Sequence, residues 1–200
     1  MRASIGLVLV TAMLAAGCDR RSNPAGQGNA VAVSDTASTN AVSADEVQPG
    51  QQPVRAGAID RSHKGQAAPT YAFQDGTGKT VTLAAFRGTP VLLNLWATWC
   101  GPCVKELPTL DALARRQGAR LRVVALSQDM DATKVAPFLS QHAISALQPY
   151  TDAKMAWVPG VTANLPTSIL FDSTGHEVWR ATGDLDWTGT TATAALTEAH

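Results

Sequence analysis

The chain has 200 residues, 45% of them hydrophobic, with 16 basic and 16 acidic side chains and three cysteines. That length fits one domain, or one domain with an appendage. A formal net charge of zero excludes the Lys/Arg excess that a nucleic-acid backbone demands, and three cysteines are too few, and an odd number, for a disulfide scaffold.

The N-terminus carries one positive charge at Arg2, an apolar run from Ile5 to Ala16, and then Gly17-Cys18. The run is too short to cross a bilayer, which takes roughly 20 residues, and fits the apolar region of a secretory signal. Leu14-Ala15-Ala16-Gly17-Cys18 resembles the lipobox of bacterial lipoproteins, except that Leu stands one place earlier than usual. By that resemblance residues 1–17 are a lipoprotein-type signal peptide and Cys18 is the lipidated first residue of the mature protein. Ordinary cleavage near Ala16, leaving Cys18 a free thiol, is the alternative. Acyl chains contribute about 0.8 kcal/mol per buried methylene, so several on one cysteine anchor firmly. Asp19 resembles the inner-membrane retention signal of some Gram-negative lipoproteins, which places the protein on the periplasmic side of the inner membrane.

Residues 22 to about 60 are rich in Ala, Ser, Asn, Gln, Gly and Val, and all eleven aromatic residues of the chain lie between Tyr71 and Trp187. A segment without large apolar side chains cannot offset its ordering entropy. The composition predicts a disordered tether over 18–61 and one folded domain over 62–200.

Within that domain, Tyr71 to Gln74 and Thr80 to Leu83 flank Asp75-Gly76-Thr77-Gly78, a hairpin signal. Val91 to Trp96 is apolar except for Asn94 and predicts a strand buried on both faces. A helix is expected from near Cys100 to Gln117, stopped by Gly118, with a kink at Pro108. Leu121 to Leu126 reads as a strand and Thr133 to His142 as a helix, with Asp131 or Thr133 as cap. No motif is legible over 128–161. Thr167 to Phe171 and Glu177 to Ala181 read as strands joined by Asp172-Ser173-Thr174-Gly175, and Thr190 to Ala199 as a final helix. This order implies an α/β domain with a mixed sheet and helices on its faces.

Trp99-Cys100-Gly101-Pro102-Cys103 ends a buried strand and opens a helix. At a helix N-terminus, unpaired N–H groups and the macrodipole favour an anion, hence a thiolate at Cys100. Cys103, one turn further in, is within reach of it, and Gly101 and Pro102 allow and stiffen the turn between them. Zinc would need a second cysteine pair or histidines at ligand spacing, which the sequence lacks. Haem attachment needs a histidine where Val104 stands, and copper-delivery proteins of this general type use a longer cysteine spacing. Thiol peroxidases carry Thr where Ala97 stands. A purely structural disulfide remains open, although so short a loop contributes little chain-entropy stabilisation. Redox chemistry needs no metal or organic cofactor.

Val91 to Pro108, VLLNLWATWCGPCVKELP, resembles the thioredoxin-fold disulfide oxidoreductases, and within them the membrane-tethered TlpA/ResA-like group. The resemblance extends over about Gly65 to Asp186, with the hairpin region as that group's N-terminal β-hairpin extension of the thioredoxin fold. It implies a catalytic pair, Cys100 and Cys103, with Glu106 beneath the disulfide as their acid/base partner. A lone helical Glu is otherwise a solvated surface residue. Asn94 stands where ordinary thioredoxins have a buried Asp; an amide cannot titrate, so a hydrogen-bonded buried role is expected. The resemblance also implies a cis peptide before Pro166 and a substrate groove formed by Leu165 and Pro166 beside Gly101 and Pro102. Trp99 either borders that groove or packs, whereas Trp96 belongs to the core.

The implied activity is that of a periplasm-facing thiol–disulfide oxidoreductase, and the Gly-Pro dipeptide of reducing thioredoxins favours a protein-disulfide reductase. The implied partners are protein substrates such as apocytochrome c or copper-site proteins, and a membrane thiol–disulfide electron donor. A disulfide-forming oxidant and a tethered, non-enzymatic binding module are the alternatives.

Overall fold

A computed structural model describes residues 57–199. Cys18, the signal segment over 1–17 and most of the tether region lie outside the described residues.

Eight strands form one mixed sheet: β1 (Ile59–Asp60), β2 (Phe73–Gln74), β3 (Thr80–Val81), β4 (Val91–Trp96), β5 (Arg122–Ser127), β6 (Tyr150–Thr151), β7 (Thr167–Phe171) and β8 (Glu177–Thr182). Their spatial order is β1-β8-β7-β4-β5-β6-β2-β3. Three α-helices accompany them, α1 (Gly101–Gln117), α2 (Val135–Gln141) and α3 (Thr190–Leu196). The pairs β4–β5 and β5–β6 are parallel, bridged in sequence by α1 and α2, while β7 runs antiparallel to β4 and β8 antiparallel to β7. This is the thioredoxin-like arrangement, with β2 and β3 forming the antiparallel extension before the core.

Side-chain alternation splits the core into two layers, as a pleated sheet requires. Leu92 and Trp96 of β4 share one layer with Val123 and Ala125 of β5 and Leu170 of β7. All three α-helices pack there, through Leu107, Leu110 and Leu113 of α1, Val135 and Leu139 of α2, and Ala192, Ala195 and Leu196 of α3. The intervening residues Val91, Leu93 and Leu95 face the other layer, with Val124, Leu126 and Ile169. That layer is closed by Phe73 of the extension, Leu83 and Phe86 of a 3-10 turn (Leu83–Phe86), and Trp157 of an irregular loop. Edge-to-face contacts link Trp157 to Tyr71 and Phe73, and Phe73 to Tyr150.

The predicted elements appear with small shifts. α1 starts at Gly101 with Cys100 as its N-cap, and Gly118 is its C-cap at φ +54°. The helix expected over Thr133 to His142 divides into a 3-10 turn (Ala132–Lys134), capped by Asp131 through the Thr133 N–H, and α2. Two strands differ from expectation. β6 lies in the stretch without a legible motif. β1 lies before Ser62, where the folded domain was expected to start; Ile59 pairs with Ala181 and Asp60 with Arg180. The fold therefore takes in residues that composition alone assigns to the tether.

Candidate active site

β4 ends at Trp96, and the loop Ala97–Cys100 leads into α1, so the reactive pair sits at the carboxyl end of a central strand. A disulfide joins Cys100 and Cys103. The two cysteines differ in exposure: Cys100 is 7% exposed and Cys103 fully buried. The Cys103 N–H donates to Cys100 Sγ at 3.3 Å, so the helix N-terminus already directs a donor at the outer sulfur. Gly101 and Pro102 are exposed beside it. Trp99 is 67% exposed, so it borders the site and does not pack, whereas Trp96 is fully buried.

The loop before Cys100 is pinned from β5. The buried Asp129 carboxylate accepts the Thr98 N–H at 3.0 Å, the Thr98 hydroxyl at 2.6 Å and the Ser127 hydroxyl at 2.7 Å. The Asp129 N–H in turn donates to Ser127 Oγ at 3.0 Å. A carboxylate with this many donors is compensated for its burial. Sequence reasoning did not single out this clamp; its signal is the polar triplet Ser127-Gln128-Asp129 at the end of an apolar strand.

Glu106 follows Cys103 by one helical turn and is 3% exposed. Asn94 Nδ2 donates to Glu106 Oε1 at 2.6 Å and to Ser168 Oγ at 2.9 Å, and the Leu185 N–H donates to Glu106 Oε2 at 3.0 Å. Burial pushes the Glu106 carboxyl up to about 7; those two hydrogen bonds and the nearby Trp187 indole oppose the rise, and the charge of Asp184 adds to it. The indole N–H itself makes no hydrogen bond within normal geometry. Asp184 is held by Lys105 at 3.0 Å, and the Trp187 N–H reaches Thr109 Oγ1 at 3.3 Å, so the β8–α3 loop is latched along α1 over the carboxyl group. Asn94 has the hydrogen-bonded, buried role expected of it. Ser168, Asp184, Leu185 and Trp187 were not legible as members of the site, because they come from β7 and a loop far along the chain.

The Leu165–Pro166 peptide is cis. β7 pairs with β4 in the register Leu95↔Thr167, and continuing that register sets Pro166 beside Trp96 and Leu165 beside Ala97. Leu165 is half-buried and Pro166 buried. The Pro166 carbonyl accepts the Gly183 N–H at 2.9 Å, which ties this segment to the loop over Glu106. Because β7 and β5 flank β4 on opposite sides, the proline segment and the Asp129 clamp bound the site from two sides.

The arrangement brings together a slightly exposed cysteine, a fully buried one bonded to it, and a buried carboxyl group whose pKa lies near neutral pH. A family model, Redoxin, matches residues 63–196. The chain belongs to the redoxin family. With its paired cysteines, this redoxin is a thiol–disulfide oxidoreductase. It is 32% identical over 123 residues to the thiol-disulfide oxidoreductase ResA of Bacillus anthracis, covering 60% of this chain and 70% of that protein. A Chlorobium tepidum structure, provisionally named thiol:disulfide interchange protein DsbE, superposes with a TM-score of 0.58 at 29% identity, covering 68% of this chain and 96% of that one. The exposed lipoprotein thioredoxin Etrx1 of Streptococcus pneumoniae shares the fold, with a TM-score of 0.52 at 23% identity over 62% of this chain and 96% of that one.

Proposed function

We propose that this redoxin is a periplasm-facing, lipid-anchored reductase of protein disulfides. The observation that carries the mechanism is the unequal exposure of the two disulfide-bonded cysteines, 7% for Cys100 against full burial of Cys103. In the reduced protein the Cys100 thiolate attacks a substrate disulfide and forms a mixed disulfide, expelling one substrate thiolate. Cys103, deprotonated as Glu106 takes its proton, then attacks Cys100 Sγ. The second substrate thiolate leaves and the Cys100–Cys103 disulfide returns. A carboxyl group with a pKa near 7 suits that transfer. Trp99, Gly101, Pro102, Leu165 and Pro166 border the substrate.

Cys18 anchors the chain in the inner membrane, and residues between it and β1 act as the tether. Tethering raises the effective concentration of a membrane thiol–disulfide donor that re-reduces the pair. Apocytochrome c and copper-site proteins are the candidate substrates.

Cys103→Ser tests the reading. The variant should hold substrates on Cys100 as mixed disulfides recoverable by mass spectrometry, and the wild-type protein should accelerate insulin reduction by dithiothreitol. Absence of both rejects the reductase. A Cys100–Cys103 pair that stays oxidised in cells and has a potential well on the oxidising side would assign disulfide formation in its place.

A further inference from the structure

Trp187 is fully buried, yet its indole Nε1–H has no hydrogen-bond partner. An idle donor in a dry interior is costly and native chains keep few of them, so this one calls for an explanation. The ring is firmly placed. It sits in the helix-side core layer with Cys103, Leu107 and Leu110. Its backbone is held on both sides: the Trp187 N–H reaches Thr109 Oγ1 at 3.3 Å, and Arg116 donates to the Trp187 carbonyl at 3.2 Å. The Thr109 hydroxyl donates in turn to the Glu106 carbonyl at 2.9 Å. Two residues before Trp187, the Leu185 N–H binds Glu106 Oε2. The β8–α3 loop thus brings an unused donor over a buried carboxyl group, close enough to oppose the rise in its pKa. The Trp179 indole, equally buried in the same layer, is by contrast spent on the Ala195 carbonyl at 2.9 Å.

We propose that the Trp187 indole N–H is the donor that Glu106 takes up on ionising, which makes Trp187 a positioning residue for the proton transfer from Cys103. The inference rests on the reading of Glu106 as acceptor of that proton. The structure holds the Cys100–Cys103 disulfide, the state reached once the proton has moved. In the acid form that the transfer leaves, the Asn94 and Leu185 donors suffice and the indole is idle. In the mixed disulfide before transfer, Glu106 is a carboxylate, which accepts more hydrogen bonds than the acid, and the indole is the donor already in place. Cys103 then gives its proton to Glu106 and its sulfur bonds to Cys100 Sγ. The bond from Cys100 to the substrate breaks, the substrate thiolate leaves with the electron pair, and the indole is released. The surrounding charges are engaged elsewhere. On α1, Lys105 pairs with Asp184, Arg116 holds the Trp187 carbonyl, and Asp111 with Arg115 binds the loop after α2. On the β8–α3 loop, Asp186 accepts from Thr188. Asn94 of β4 and Ser168 of β7 carry no charge, and α3 has no charged residue.

The test follows the full chain by NMR from about pH 5 to pH 9, in the oxidised form, where Cys100 and Cys103 do not titrate. The Glu106 carboxyl carbon should titrate with a midpoint near 7. The Trp187 indole proton should move downfield with the same midpoint, as a proton entering a charge-assisted hydrogen bond does. In Glu106→Gln that movement should vanish. These spectra need no tryptophan variant, so they decide the matter even if Trp187→Phe fails to fold. Trp187→Phe should raise the Glu106 midpoint by about one pH unit, the tenfold change expected of one lost bond to a charged group. Trp179→Phe, which removes an equally buried indole, should leave the midpoint in place. In rapid mixing of reduced protein with excess hydroxyethyl disulfide, the concentration-independent phase that closes the Cys100–Cys103 bond should show the same tenfold displacement in Trp187→Phe. A stationary indole proton in the wild type, or one that moves equally in Glu106→Gln, overturns the proposal. So does a Glu106 midpoint or a closing phase that Trp187→Phe leaves unchanged, or a midpoint that both tryptophan variants raise alike. If the Glu106 carboxyl does not titrate in this range, the reading of Glu106 as proton acceptor itself falls and takes the indole's role with it.

Discussion

Glu106 shows how one residue couples stability to chemistry. Burial lifts its folded pKa from 4.5 to about 7, so between those values the folded chain keeps a proton that the unfolded chain has lost. Its contribution to stability is whole below 4.5 and disappears as pH rises through 7. At about 1.4 kcal/mol per pH unit the loss is about 3 kcal/mol. The lowered pKa values of Asp75, Asp131, Asp172 and Asp186 act in the opposite direction, so the wild-type profile alone mixes both. The comparison with Glu106→Gln isolates the effect. In urea unfolding of the oxidised protein, the wild type should lose about 3 kcal/mol more than Glu106→Gln between pH 4 and pH 8. Equal slopes would mean that Glu106 ionises like a surface carboxylate. At this scale the proximity of Cys100, Cys103 and Glu106 was legible, because the N-cap and the first two turns of one helix hold all three. The partners of Glu106 were not legible, because Ser168 and Leu185 meet it only through strand pairing and loop closure.

Among the elements, the two hairpin turns were legible because each is a self-contained hydrogen-bond unit. Asp75 and Asp172 head the same Asp-x-Thr-Gly pattern. Each carboxylate accepts the N–H and the hydroxyl of the Thr two residues on, and a further N–H two residues beyond. Gly78 and Gly175 supply the positive φ that follows, +82° and +85°. The loop that closes the second layer gave no such signal, since its order comes from Trp157 packing and from the Asp152 carboxylate accepting the Trp157 N–H at 3.0 Å. Gly160 is its tight point: a Cβ there would meet the Ala156 carbonyl oxygen at 2.5 Å and the Tyr71 hydroxyl at 3.0 Å. Gly160→Ala should therefore destabilise the protein by on the order of 2 kcal/mol in urea unfolding. A change within a few tenths would show that the loop yields freely.

For the whole molecule, β1 is the element whose absence from a sequence reading matters most. A two-residue strand has no periodicity, and it follows a composition that reads as tether, so only pairing with β8 reveals it. It covers one edge of the sheet, with the Gly57 N–H donating to the Thr182 carbonyl at 2.7 Å and Arg61 bridging to Glu198. An uncovered edge is a template for pairing with another chain. A chain beginning at Ser62 should unfold about 1–2 kcal/mol more easily than one beginning at Gly57. It should also self-associate in light scattering at concentrations where the longer chain stays monodisperse. Identical behaviour of the two would place the functional start of the domain after β1.

The sealed position of Cys103 also governs how the redoxin is damaged. A peroxide or an alkylating reagent meets Cys100 first, because the second sulfur has no exposed surface. When oxidation converts Cys100 to a sulfenic acid, Cys103 stands one helical turn away, shielded and intact. Condensation of the two expels water and restores the disulfide, a route that competes with further oxidation of Cys100 to the irreversible sulfinic state. Burial of one thiol thus keeps a resolving partner intact beside the sulfur that is oxidised first.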